Sequence, residues 1–256
     1  MPTVEACEAA QTCWFTCRAA VLGGQTWSDG PLLWAREGDE QNLMFPQRIP
    51  ADAVARGVER ARETGVRTIG AWLGTDVDTS ALAAAGFERG WEPLWMTAPV
   101  ADVGDPGGPG APVDPVDPRI ELQQDTVDYT GEYAAYRDTL KMTRVRPQRS
   151  WYAAAYDDRR GREGSDNHGS RRFAGRAWSH LNGDTAGVFD MEVWPAFQRR
   201  GLGTGLLRAV VAAAAEAGAD NAVLNATPEG KMLYESCGFR QIGVGITWWL
   251  HLDQRQ

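Results

Sequence analysis

Apolar and polar positions in the second half of the chain follow two different periods. From Thr185 to Trp194 they alternate, with Phe189, Met191 and Val193 set against Asp190 and Glu192, as in a strand with one buried face. From about Gly201 to Ala217, Leu, Val and Ala recur at helical spacing. Before this pair, the pattern predicts a strand at Arg119–Gln124, a helix over about Val127–Met142 and a strand at Trp151–Tyr156, then a polar loop, Asp157–Ser170. Asn182-Gly183-Asp184 predicts a hairpin turn into the 185–194 strand, because Asn-Gly accepts the positive φ of a tight turn. A strand at Ala222–Asn225 and a short helix follow. Thr227 is placed to cap that helix, Pro228 to open it and Gly238 to close it. A last strand covers Gly243–His251.

The first half reads as a worn copy of the second. Met44-Phe45-Pro46 parallels Val193-Trp194-Pro195 at the end of a strand, and a helix over about Ala51–Thr64 and a strand at Thr68–Leu73 follow. Leu82-Ala83-Ala84-Ala85-Gly86-Phe87 parallels Tyr234-Glu235-Ser236-Cys237-Gly238-Phe239, and each copy ends in a Trp-bearing strand (Trp91 and Trp95; Trp248 and Trp249). Internal duplication is the architecture this implies. Between the copies, Ala101–Pro118 is rich in Pro, Gly and Asp and reads as an exposed linker. The expected division is therefore 1–100, a linker at 101–118, and 119–256.

Composition narrows the function. Hydrophobic residues make up 43% of the 256 and charged residues 23%, as in an ordinary globular protein, and no apolar run is long enough to span a bilayer. Met1–Ala10 carries Glu5 and Glu8 and no base, unlike a secretory signal, so the cytoplasm is the expected compartment. A net charge of -8 argues against nucleic acid as a partner. The acidic excess lies in residues 1–118, and 119–256 is close to balance, the less repulsive half for an anionic ligand. Cys7, Cys13, Cys17 and Cys237 lack the spacing of a zinc site, and Cys13 and Cys17 share one helix face. Packing is the reading they support best. No metal is expected.

The chemistry-bearing stretch is Gln198-Arg-Arg-Gly201-Leu-Gly203-Thr204, where a strand turns into a helix. Gly201 and Gly203 let the main chain approach a bulky ligand. The first amides of a helix lack internal partners and carry partial positive charge, which suits a pyrophosphate. Arg199 and Arg200 add charge beside it. Val193-x-Pro195, Gln198-x-x-Gly201-x-Gly203 and, some thirty residues on, Leu233-Tyr234-x-x-x-Gly238-Phe239 stand in the order of the GNAT superfamily of N-acyltransferases, which this chain resembles across most of 119–256. Rossmann and P-loop glycine spacings fit less well.

The resemblance implies an α/β protein of two GNAT-like mixed-sheet domains, the N-terminal one degenerate, and acetyl-CoA as co-substrate. Pantetheine would insert between splayed strands and pair with main-chain groups of Met191 and Val193. The Met191 amide would polarise the thioester carbonyl. Amides of Arg199, Arg200, Gly201, Leu202, Gly203 and Thr204 would hold the pyrophosphate, and Tyr234 would protonate the departing thiolate. Many relatives carry an Asn where Thr227 stands here, and Asn225 is the alternative contact to the cofactor.

The base that deprotonates an amine is less marked. Plain alternation turns Asp190 and Glu192 away from Phe189, Met191 and Val193. His180 and His168 are alternatives. Lys141, Arg144, Arg146, Arg149 and the Arg159–Arg172 loop border the expected acceptor site, and Trp151, Tyr152 and Trp178 suit either a planar acceptor or the core. In the first half no Gly-x-Gly turn follows Pro46 and Leu82 stands where Tyr234 does, so that half is expected to bind no CoA in the usual way. The function implied is acetyl transfer to a primary amine of a small molecule. A non-catalytic acyl-CoA sensor and an enzyme acting on a protein or charged tRNA are the rivals. An exposed sheet edge allows a homodimer.

Overall fold

The chain opens with helix α1 (Val4–Val21) and strands β1 (Gln25–Asp29), β2 (Leu32–Glu37) and β3 (Glu40–Met44). Helix α2 (Ala51–Glu63), β4 (Thr68–Leu73), α3 (Ser80–Ala84), β5 (Glu88–Arg89) and β6 (Leu94–Pro99) complete its first part. The second part comprises β7 (Ile120–Gln123), the helical turn α4 (Tyr136–Thr139), β8 (Ser150–Asp157), β9 (Arg172–Asn182), β10 (Thr185–Val193), α5 (Leu202–Glu216), β11 (Asn221–Ala226), α6 (Pro228–Ser236), β12 (Arg240–Val244) and β13 (Ile246–His251). This computed structural model describes residues 2–103, 117–123, 136–157 and 172–252. His168, residues 158–170 of the polar loop, most of the Pro/Gly/Asp-rich segment and the start of the helix expected at 127 lie outside them. Where that helix was to continue, α4 gives way to a 3-10 segment, Leu140–Arg144.

Two mixed sheets repeat one plan. The six-stranded sheet runs β1-β2-β3-β4-β13-β5, and the seven-stranded sheet runs β7-β8-β9-β10-β11-β6-β12. With β7 set aside, strand follows strand in the same order. The parallel pair β3 and β4 is bridged by α2, and the parallel pair β10 and β11 by α5. The duplication read from the sequence is therefore present in the topology. Sheet membership brings one correction. The Trp-bearing strands that end the two halves trade places, with β6 lying in the second sheet and β13 in the first. Alternation reveals that a segment is a strand and not which edge it will join.

Two compact units result, each built from separated stretches of chain. The N-terminal unit comprises Thr3–Trp95, Asn225–Pro228 and Gln241–Gln256, and the C-terminal unit comprises Met96–Leu224 and Glu229–Arg240 with the first two residues. In the N-terminal unit α2 buries one face, Ala53, Val54, Gly57, Val58 and Ala61, over Trp34, Leu43 and Ile69. Gly57 is required by contact: a Cβ there would lie 2.5 Å from Cζ2 of the fully buried Trp34. In the C-terminal unit α5 buries Leu202, Leu206, Leu207, Val210 and Val211 on β8, β9 and β10. Each such side chain stabilises by about 1.5–3 kcal/mol. That burial fixes the start of α5 at the end of β10.

Candidate active site

β9 and β10 pair in register down to Phe189↔Trp178 and resume at Glu192↔Arg176, so β10 holds one extra residue between them. Asp190 takes φ 46 there. This is a β-bulge, and it shifts the phase of the strand. Directly opposed residues share a face, so Glu192 joins Phe189, Trp178 and Arg176 on one side of the sheet. Ser179, on the other side, donates to the Val210 carbonyl of α5 at 2.7 Å. Glu192 thus faces away from α5, while Met191 faces towards it. Plain alternation had placed Glu192 opposite Phe189. The bulge overturns that. The Glu192 carboxylate is half exposed and lies 4.0 Å from the Arg176 guanidinium.

The bulge coincides with a parting of strands. β10 and β11 are in register only from Thr185↔Asn221 to Val188↔Leu224, although β10 continues to Val193 and β11 to Ala226. The corresponding strands of the N-terminal unit stay together to Met44↔Trp72, and the Phe45 amide still donates to the Trp72 carbonyl at 2.8 Å. The Trp72 ring there has Phe15, Trp91 and Trp249 around it, each about 6.0 Å away between centroids. The equivalent opening is zipped by backbone bonds and surrounded by rings.

After β10 the chain makes a 3-10 turn, Pro195–Phe197, and enters α5 through two residues of positive φ, Arg199 at 63 and Gly201 at 79. The amides of Leu202, Gly203 and Thr204 head the helix, where no carbonyl one turn back can reach them. Gln198 is exposed, and its side-chain amide donates to the Val193 carbonyl at 3.0 Å, tying the turn to the strand. Arg199 is exposed. Arg200 is turned elsewhere, its guanidinium donating to Asp157 at 3.0 Å and to the Ala196 carbonyl at 2.9 Å. Its charge is largely matched by that carboxylate. Leu202 is buried and anchors the helix.

Helix α6 lies against this first turn. A Cβ on Gly203 would meet Leu233 Cδ2 at 3.0 Å and Met191 Cε at 3.5 Å, and the Cys237 thiol approaches the Thr204 hydroxyl at 3.8 Å. β10, the glycine turn and α6 therefore converge on Gly203, though they are separated in sequence. Tyr234 follows Leu233, its ring edge-on to Phe239 with centroids 6.0 Å apart. Burial, with a smaller contribution from Cys237, pushes its phenol up to about 12.

Other candidates fall outside this convergence. Asn225 donates to Gln11 of α1 at 2.6 Å, both within the N-terminal unit. His180 is buried, and its Nδ1 lies 2.8 Å from the Ser150 hydroxyl. Tyr152 and Trp178 are buried with centroids 4.7 Å apart, a core pair. Lys141 pairs with Asp138, while Arg146 and Arg149 donate to nearby carbonyls. The sequence reading missed Arg119, Asp117 and Asp157, which surround the turn; none of them stands in a periodic or motif position that would mark it.

Residues 155–241 match the family model for an acetyltransferase (GNAT) domain. The chain carries a GNAT acetyltransferase domain. No curated protein matches it. Solved structures share its fold at low identity. A GCN5-related N-acetyltransferase from Kribbella flavida aligns over 94% of this chain and 93% of its own, with a TM-score of 0.58 and 13% identity. A tandem GNAT protein from the clavulanic acid biosynthesis pathway aligns over 88% and 79%, with a TM-score of 0.53 and 17% identity. A GCN5-related N-acetyltransferase from Sphaerobacter thermophilus aligns over 86% and 76%, with a TM-score of 0.51 and 14% identity. The GNAT match begins in β8 and ends in β12, and so spans the bulge, the turn and α6.

Proposed function

We propose that the GNAT domain transfers an acetyl group from acetyl-CoA to the primary amine of a small molecule, by direct attack in a ternary complex. The convergence of β10, the glycine turn and α6 on Gly203 carries this reading. The diphosphate lies on the amides of residues 199–204, where helix-end charge favours an anion. Pantetheine follows the gap between β10 and β11, pairing with main-chain groups of Met191 and Val193. The amine nitrogen attacks the thioester carbon, whose oxygen is met by the Met191 amide. As the tetrahedral intermediate collapses, the C–S bond breaks and the sulfur takes a proton from the Tyr234 phenol, while the proton still held in excess by the attacking nitrogen passes through water to restore that phenol.

Glu192 is the base in this scheme. It receives the proton that the ammonium loses, directly or through one water, because the bulge sets its exposed carboxylate on the face away from α5. The test is thiol release from acetyl-CoA across a panel of small amines. The reading requires turnover with at least one amine and a large loss in Tyr234→Phe. CoA binding without turnover on any amine, unchanged in that variant, would point to a sensor instead.

A further inference from the structure

The Arg200 carbonyl does not face solvent at the glycine turn. It accepts a bond from Arg119 Nη2 at 3.1 Å. Arg119 is itself held on two sides by Asp117, with Nε at 3.0 Å from Oδ1 and Nη2 at 2.7 Å from Oδ2, and the Asp117 oxygen also accepts the Arg119 amide at 2.9 Å. That guanidinium holds the Asp117 carboxyl below its usual range. The base of the assembly is packed: a Cβ on Gly205 would lie 2.9 Å from Ile120 Cγ1 and 3.7 Å from Asp117 Cβ. Ile120, the first residue of β7, and Asp117, three residues before it, are thus packed under the first turn of α5.

A planar trans peptide points its C=O and N–H in opposite directions. Drawing the Arg200 carbonyl towards Arg119 therefore turns the Gly201 N–H the other way, outward at an exposed residue. Glycine at φ 79 has the freedom to let this peptide flip, which would aim an oxygen at the diphosphate in place of a donor. We propose that Arg119, braced by Asp117, is a positioning residue that locks the Arg200–Gly201 peptide with its N–H towards the diphosphate of acyl-CoA. The inference rests on the acyl-CoA reading above. Arg119 contributes through the peptide it holds.

The test measures CoA affinity by calorimetry, and turnover with acetyl-CoA and with S-acetylpantetheine, which has no diphosphate. Losing a hydrogen bond from a charged donor should weaken CoA binding in Arg119→Met by about 10- to 100-fold. Arg119→Lys, which keeps a donor, should recover part of this. Arg119→Met/Asp117→Asn removes the carboxylate left unpaired and should remain weak. Turnover of S-acetylpantetheine should stay within about two-fold in all three, since the chemistry is untouched. Unchanged CoA affinity in Arg119→Met, recovery in the double variant, or an equal loss with S-acetylpantetheine would each overturn the lock. If the unaltered protein bound no CoA, the acyl-CoA reading would fall, and the lock with it.

Discussion

In the proposed scheme Tyr234 and Glu192 divide the proton transfers, and their environments bear on how. The Tyr234 phenol, raised to about 12, stays protonated across the working range, so it is always able to donate. Replacing it with Phe should lower kcat by roughly 10²–10⁴-fold and leave the KM for acetyl-CoA nearly unchanged, in steady-state thiol-release assays. The sign of its pH dependence follows from the upward shift: the donating form is lost only as pH rises through about 12. A kcat profile taken to about pH 10.5 should therefore show no falling limb near the ordinary phenol value of about 10. Glu192→Gln should lower kcat by at least about 10²-fold if the carboxylate takes the ammonium proton. A change within two-fold would reduce it to a partner of Arg176. The positions of the glycine turn and of the helix bearing Tyr234 were legible because turn and capping residues mark both in the sequence. The direction of Glu192 was not, since one extra residue at Asp190 reverses every side-chain direction after it, and no periodic signal marks where that residue sits.

Elements with a strong periodic or turn signal were read well. Thr68–Leu73 and the 182–185 hairpin stand as expected, and α5 starts and stops within a residue of its predicted ends. The early strands β1 and β2 went unread, and the expected strand Gly243–His251 divides at Gly245 into β12 and β13, which belong to different sheets. Partner choice over such distances is set by which sheet has an open edge, a property of the folded chain alone. The exchange has a direct consequence. β13 stands between β4 and β5, in register with β4 from Ile246↔Leu73 to His251↔Thr68. A chain ending at Val244 should lose the cooperative unfolding of the N-terminal unit, seen as early proteolysis within residues 3–95. The same unit offers a finer probe in Gly57→Ala. Helix propensity favours Ala by about 1 kcal/mol. The Cβ contact with the enclosed Trp34 ring works against it, and overpacking of about 1–3 kcal/mol should win. Denaturant midpoints should show lower stability.

At the scale of the whole molecule, the two sheets share one strand order, and the glycine turn before the crossover helix stands in the second and not in the first. The N-terminal strands remain paired where the C-terminal ones part, and α2 begins after Pro50 in place of a glycine turn. No helix among the described residues is long and apolar enough to cross a membrane. With an acidic net charge of -8, the proposed anionic cofactor would depend on the local arrangement of amides at α5. Calorimetric titration of coenzyme A into the unaltered protein and into Gly201→Glu tests that attraction most directly. The substitution forces a side chain into φ 79 and puts a carboxylate where the diphosphate belongs, so affinity should fall by at least about 100-fold. Equal affinity in the two proteins would mean that coenzyme A is held somewhere other than the turn before α5.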